Sequence, residues 1–64
     1  MMYSFYVDWI TKIIGESSAS ESGKFPLNII ANSREEGLTQ ALNIAQGMAR
    51  AFNNTNIRFY YRIL

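Results

Sequence analysis

Small residues recur at every fourth position of one segment, at Gly37, Ala41, Ala45 and Ala49. Positions four apart lie on the same face of an α-helix, so these residues form a narrow stripe along it. A narrow stripe lets the helix axis approach a neighbouring layer closely. That layer must then supply the large side chains, and a two-layer core of this kind is filled by a helix on a sheet.

The segments on either side of this helix alternate like strands. In residues 3–14 the odd positions lie on one side and the even positions on the other. Residues 25–31 and 56–63 repeat the alternation, with aromatic and β-branched residues that favour strands. Pro26 cannot donate to a β-ladder, so it indicates an edge strand or the start of one. The large side chains expected against the helix are the following: Phe5, Trp9, Phe25, Phe59 and Tyr61.

The helix has clear start and stop signals. Ser33-Arg-Glu-Glu36 fits a capping box, and Asn53-Asn54 ends the apolar period. The long first strand is the most apolar and is expected at the centre, with the third strand returning over the helix. The sequence therefore predicts a single α+β domain over residues 1–64. Its predicted fold is a two-layer ββαβ with a three-stranded antiparallel sheet of order 2-1-3 and the helix on one face.

The composition limits the chemistry. The 64 residues contain no cysteine and no histidine, which argues against a disulfide, a Cys/His metal site or a histidine-based catalytic site. Glu35 and Glu36 are explained by helix capping, and so small a two-layer domain offers no deep pocket. We therefore expect neither an enzyme nor a cofactor. The first residues lack a basic leader, and Asp8 and Lys12 interrupt their apolar run, so we expect a cytoplasmic protein without a membrane anchor.

The stretch GESSASESGK, residues 15–24, resembles a phosphate-binding loop at first reading. Such a loop requires Gly-x4-Gly-Lys-Ser/Thr before a helix. Here seven residues separate Gly15 from Gly23, Phe25 follows Lys24, and a predicted strand comes next. The small polar composition favours a flexible hairpin loop over residues 15–24 instead.

The sheet face away from the helix is the predicted working surface. It combines aromatic, aliphatic and basic residues, and the binding residues expected on it are the following: Tyr6, Lys12, Arg58, Tyr60 and Arg62. Tyrosine and arginine on a rigid sheet favour a protein partner. The same residues would let arginines meet phosphates and tyrosines stack on bases, but Asp8 and a net charge of only +1 weigh against nucleic acid. A third possibility is that two such faces, or two sheet edges, pair in a homodimer that completes the core without a separate partner.

The run from Asn28 to Ala45 resembles a pattern found in compact phage-encoded inhibitors of the anti-CRISPR type. In this run a strand ends in Ala-x-Ser, the serine caps a helix, and small residues follow at every fourth position. The resemblance implies a protein that blocks a host nucleoprotein complex by contact, in the host cytoplasm. The chain lacks the strong acidity of DNA-mimicking members, so the resemblance does not imply mimicry, and it transfers no inhibitor residue to a position here.

Overall fold

A computed structural model of the chain describes residues 1–16, 18–54 and 56–64. Three strands and one helix follow in the order β1, β2, α1, β3. Their bounds are as follows: β1 Met2–Ile13, β2 Glu21–Ile30, α1 Arg34–Phe52 and β3 Ile57–Ile63. The three strands form one sheet in the order β2-β1-β3. The predicted α+β fold of ββαβ type, with its antiparallel sheet of order 2-1-3, is confirmed.

The central strand β1 is antiparallel to both neighbours. Its register with β2 places Asp8 opposite Lys24, and its register with β3 places the same Asp8 opposite Arg62. Pro26 lies opposite Tyr6 in the edge strand β2. The backbone N–H groups of even-numbered residues in β2 point away from β1, so the sheet loses no hydrogen bond at proline. The edge position predicted from Pro26 is therefore correct.

The second strand begins four residues earlier than predicted, at Glu21 instead of Phe25. Residues 21–24 pair with β1, so the loop predicted over residues 15–24 is too long at this end. Gly23 lies opposite Trp9, and a Cβ at Gly23 would lie 2.7 Å from Cζ2 of that indole. The indole thus occupies the space that a side chain would fill. Ser17, inside the predicted loop, lies outside the described residues.

The helix begins as its sequence predicts. The Glu36 N–H donates to Ser33 Oγ at 3.2 Å, so Ser33 is the N-cap. The Glu36 carboxylate accepts from the Asn32 N–H at 3.4 Å rather than from the serine N–H, a wider form of the reciprocal bond in a capping box. Glu35 and Glu36 in the first turn and Arg50 in the last suit the helix dipole.

The core lies between the helix and the odd-numbered face of β1. All four small residues of the helix stripe are buried. Of the large side chains expected against the helix, Phe5 and Phe59 are buried, and the others, Trp9, Phe25 and Tyr61, are half-buried. Phe5 is 1% exposed and lies within 3.3 Å of where a Cβ on Gly37 would be. Leu42 and Phe52 lie next to this stripe at helical spacing, and both are exposed.

An aromatic group closes the other end of the core. The Phe59 ring stacks on Trp9 at 5.6 Å and on Phe52 at 5.5 Å between centroids, and it also contacts Tyr61. The Phe59 N–H donates to Asn53 Oδ1 at 2.6 Å, so the residue that ends the helix also satisfies a donor on the outer edge of β3. The connection after the helix thereby fixes where β3 begins.

Candidate functional site

The helix covers one side of the sheet and leaves the other side open. We call the uncovered side the open face. It consists of the even-numbered strand positions, because side chains alternate between the two sides of a strand. Its members are the following: Met2, Ser4, Tyr6, Asp8, Ile10 and Lys12 on β1; Ser22, Lys24, Pro26, Asn28 and Ile30 on β2; Arg58, Tyr60 and Arg62 on β3. All five predicted binding residues therefore lie on the open face.

The open face carries most of the positive charge of the protein. Four of the six basic residues lie on it: Lys12, Lys24, Arg58 and Arg62. The only acid among its strand positions is Asp8. The remaining acids lie in the turn, on the opposite side of β2 and in the first turn of the helix. The net charge of +1 is therefore the sum of a positive open face and a negative charge on the rest of the protein.

Asp8 lies between two bases at the centre of this face. The Arg62 Nε–H donates to Asp8 Oδ2 at 2.9 Å, and Lys24 is the cross-strand neighbour on the other side. The Arg62 side chain is 73% exposed, so this ion pair contributes little to stability after screening by water and salt. The pair instead determines the position of the Arg62 guanidinium, which it holds close to the sheet.

Each exposed tyrosine of the open face has a lysine over its ring. The Lys24 ammonium lies 5.6 Å from the ring centroid of Tyr6, and the Lys12 ammonium lies 5.9 Å from that of Tyr60. Tyr6 and Tyr60 are 49% and 51% exposed, so about half of each ring remains available to a partner. Cation–π contacts of this kind are worth about 0.5–1 kcal/mol at exposed sites.

Arg58 is held at the end of the face. Its Nη1 donates to the carbonyl oxygen of Asn54, which turns the guanidinium toward the connection between the helix and β3. The sequence predicts that Arg58, Tyr60 and Arg62 project together as a cationic stripe around an aromatic ring. The three do share one face, but the two guanidinium groups are drawn apart, one to Asn54 and the other to Asp8.

Two shallow depressions lie on either side of Tyr60. The first, of about 320 Å³, is lined by Ile10 together with the Asp8–Arg62 pair and the residues next to them on β3. The second, of about 330 Å³, lies toward the turn after β1 and is bordered by Lys12, Arg58 and Glu16. We call the second one the turn depression. Tyr60 lines both depressions.

The sequence reasoning missed Lys24 as a site residue. The sequence predicts Lys24 in the hairpin loop, whereas it lies in β2 opposite Asp8 and over the Tyr6 ring. The signal that could have revealed it is the alternation of Lys24, Pro26 and Asn28 with the apolar residues between them. That alternation indicates that the strand already includes Lys24 and that Lys24 lies on the same side as Pro26 and Asn28.

Comparison with protein-family models, with curated proteins and with solved structures finds no match for this chain. No helix in the described part of the chain has the length and apolarity that crossing a membrane requires. In residues 1–16, 18–54 and 56–64, no three Asp, Glu, His or Cys side chains come together as a metal site would need.

Proposed function

We propose that this protein is a non-enzymatic binding module whose open face docks on a protein partner with an acidic surface. The observation that carries the proposal is the placement of four bases and two half-exposed tyrosines on the one side of the sheet that the helix does not cover. Tyrosine and arginine are the residues that most often anchor interfaces. Opposite charge on the partner would steer association and fix its orientation.

The internal contacts of the open face support a rigid docking surface. Lys12 and Lys24 are held over tyrosine rings, Arg62 is held by Asp8, and Arg58 is held by a backbone carbonyl. Long basic side chains that are already restrained lose less conformational entropy on binding than free ones do. The face is therefore suited to a partner of fixed shape.

Nucleic acid is the second candidate, and the concentration of bases on one face favours it. Sheet platforms that bind single strands combine such bases with aromatic rings that stack on the nucleotide bases. On the open face, however, lysine ammonium groups already lie over both exposed rings. A nucleotide base would have to displace them before it could stack, which is why a protein partner is preferred.

Pairing of two open faces in a homodimer is a weaker hypothesis for an electrostatic reason. A two-fold contact would bring the four bases of one copy against the same four of the other, and like charges across an interface are unfavourable. The exposed aliphatic residues of the open face, Met2 and Ile30, lie opposite each other at one end, so they leave the basic part of the face without apolar contact. Analytical ultracentrifugation at micromolar concentration checks self-association directly.

A phage-type inhibitor that blocks a host nucleoprotein complex in the host cytoplasm is the narrowest form of the proposal. It comes from the sequence resemblance of residues 28–45 and stays a prediction. The acidic partner surface proposed above would then belong to a protein of that complex.

A capture experiment tests the proposal. The immobilised protein is exposed to cell lysate, and retained proteins and nucleic acids are identified. Tyr60→Ala is compared with Arg50→Gln, which removes a charge from the helix instead of the open face. We expect Tyr60→Ala to weaken retention of a protein partner by about 30-fold, as loss of an anchor of about 2 kcal/mol would. Retention of nucleic acid alone, or equal retention by both variants, contradicts the proposal.

A further inference from the structure

We infer that the turn depression is a subsite for a carboxylate of the partner protein, received by Lys12 and Arg58. This inference rests on the proposed function and adds the position and chemistry of one contact. Lys12 and Arg58 lie directly opposite each other in the register of β1 and β3. Two like charges in that relation destabilise a sheet, so an anion placed between them relieves a repulsion that the free protein contains.

Within the described residues, no carboxylate neutralises this pair. The ion pair of the open face joins Arg62 to Asp8, and no acid comes within ion-pair distance of Lys12 or Arg58 in the described part of the chain. Glu16 borders the same depression without reaching either base. The two cations nearest the turn thus differ from Arg62 in having their charge available to a ligand.

Both bases are already positioned. The bond from Arg58 Nη1 to Asn54 orients the guanidinium, and a guanidinium has five N–H donors, so several remain for an incoming group. The Lys12 ammonium is restrained over the Tyr60 ring. A carboxylate matches the planar fork of an arginine with two parallel hydrogen bonds, which are charge-assisted and stronger than neutral ones.

The shape of the depression suits an acidic side chain. Its volume of about 330 Å³ accommodates a side chain but not a folded element, and Ile13 and Ile14 offer apolar contact to the methylene groups of an aspartate or glutamate. Glu16 at the rim opposes any anion. A single carboxylate faces less of this repulsion than the row of phosphates that a nucleic acid would bring along the face.

The test is a titration with hexaglutamate that is monitored through the NMR signals of the backbone amides. Hexaglutamine is the uncharged control. We expect hexaglutamate to shift the signals of Lys12, Arg58 and the turn, and hexaglutamine to shift none of them. Lys12→Gln and Arg58→Gln should each weaken binding about tenfold, the loss of one charge-assisted contact. Glu16→Gln should strengthen binding about twofold by removing an exposed repulsion. Lys24→Gln makes the same charge change on β2, the edge strand opposite Arg58, and should have little effect.

Equal losses in Lys24→Gln and Lys12→Gln would overturn the inference, because they would indicate diffuse attraction to the whole face. Tighter binding of an oligothymidylate through Lys12 and Arg58 would overturn it in favour of phosphate.

The experiments distinguish failure of the subsite from failure of the proposed function. If only the subsite is wrong, Tyr60→Ala still weakens capture of the partner while hexaglutamate does not select the turn depression. If the proposed function is wrong, hexaglutamate still binds there but capture does not depend on Tyr60.

Discussion

Replacing Gly23 with alanine should destabilise the protein although alanine is the better residue for most backbones. The added Cβ would lie 2.7 Å from Trp9 Cζ2 and 2.9 Å from Nε1, well inside the 3.4–4 Å of ordinary contact. The indole cannot retreat freely because it stacks on Phe59. Forcing an extra carbon into a packed site costs about 1–3 kcal/mol, and the lower entropy of the unfolded alanine chain returns about 0.4–1 kcal/mol. We expect a net loss of about 1–2 kcal/mol from these two terms.

Thermal unfolding measures this loss, with the fluorescence of the single tryptophan as the signal. For a domain of this size the melting temperature falls by about 4–8 °C per kcal/mol. Gly47→Ala is the matched control. In the described part of the chain, a Cβ at Gly47 meets nothing within 4 Å apart from the flanking residues and the backbone of its own helix. Alanine in a helix is about 0.5–1 kcal/mol better than glycine, so this variant should melt higher than the parent protein. A Gly23→Ala variant as stable as the parent would refute the packing of Trp9 over Gly23.

Three further predictions concern the fold. Phe59→Ala removes the ring at the centre of the aromatic group and should cost about 3–5 kcal/mol, enough to leave much of so small a domain unfolded by circular dichroism. Ser33→Ala removes the N-cap and should cost about 1 kcal/mol in urea unfolding, and an unchanged midpoint would contradict the cap. Asn53→Ala removes the acceptor of the Phe59 N–H and should cost about 1 kcal/mol, whereas Asn53→Asp keeps an acceptor and should lose less; equal losses would count against this bond.

The order of the elements was predictable because each has a period of its own. Residues 3–14 alternate, and the stripe from Gly37 to Ala49 repeats at every fourth position, so the strand and the helix could not be confused. The central place of β1 follows from its length and from its apolar residues. The edge place of β2 follows from Pro26, which lacks a donor. These features depend on local pattern, which a sequence contains directly.

The start of β2 could not be predicted in the same way. Glu21, Ser22 and Gly23 are weak strand formers, and they extend the strand only because β1 supplies partners opposite them. The predicted loop therefore included Lys24, and the predicted site lacked one of the four bases of the open face. Helical period alone also does not reveal how wide a stripe the sheet covers, so it could not show that Leu42 and Phe52 are exposed.

The electrostatic character of the open face could be predicted only in part from the sequence. The sequence placed Arg58, Tyr60 and Arg62 on one face, which the strand alternation alone determines. It could not show that Asp8 holds the Arg62 guanidinium, because these residues are far apart in the chain and meet only through the strand register. The bond from Arg58 to Asn54 is local, but it depends on the path of the connection after the helix, which strand alternation does not reveal. Net charge averaged over the whole chain concealed the contrast between the two sides of the molecule.

Lysine labelling tests the central claim most directly, because the chain has two lysines and both lie on the open face. The protein is treated with an amine-reactive reagent alone and in complex with its captured partner, and modification of Lys12 and Lys24 is measured by mass spectrometry. A partner docked on the open face should protect both lysines, and Tyr60→Ala should remove that protection. A complex that forms while Lys12 and Lys24 are labelled as fast as in the free protein would contradict the claim.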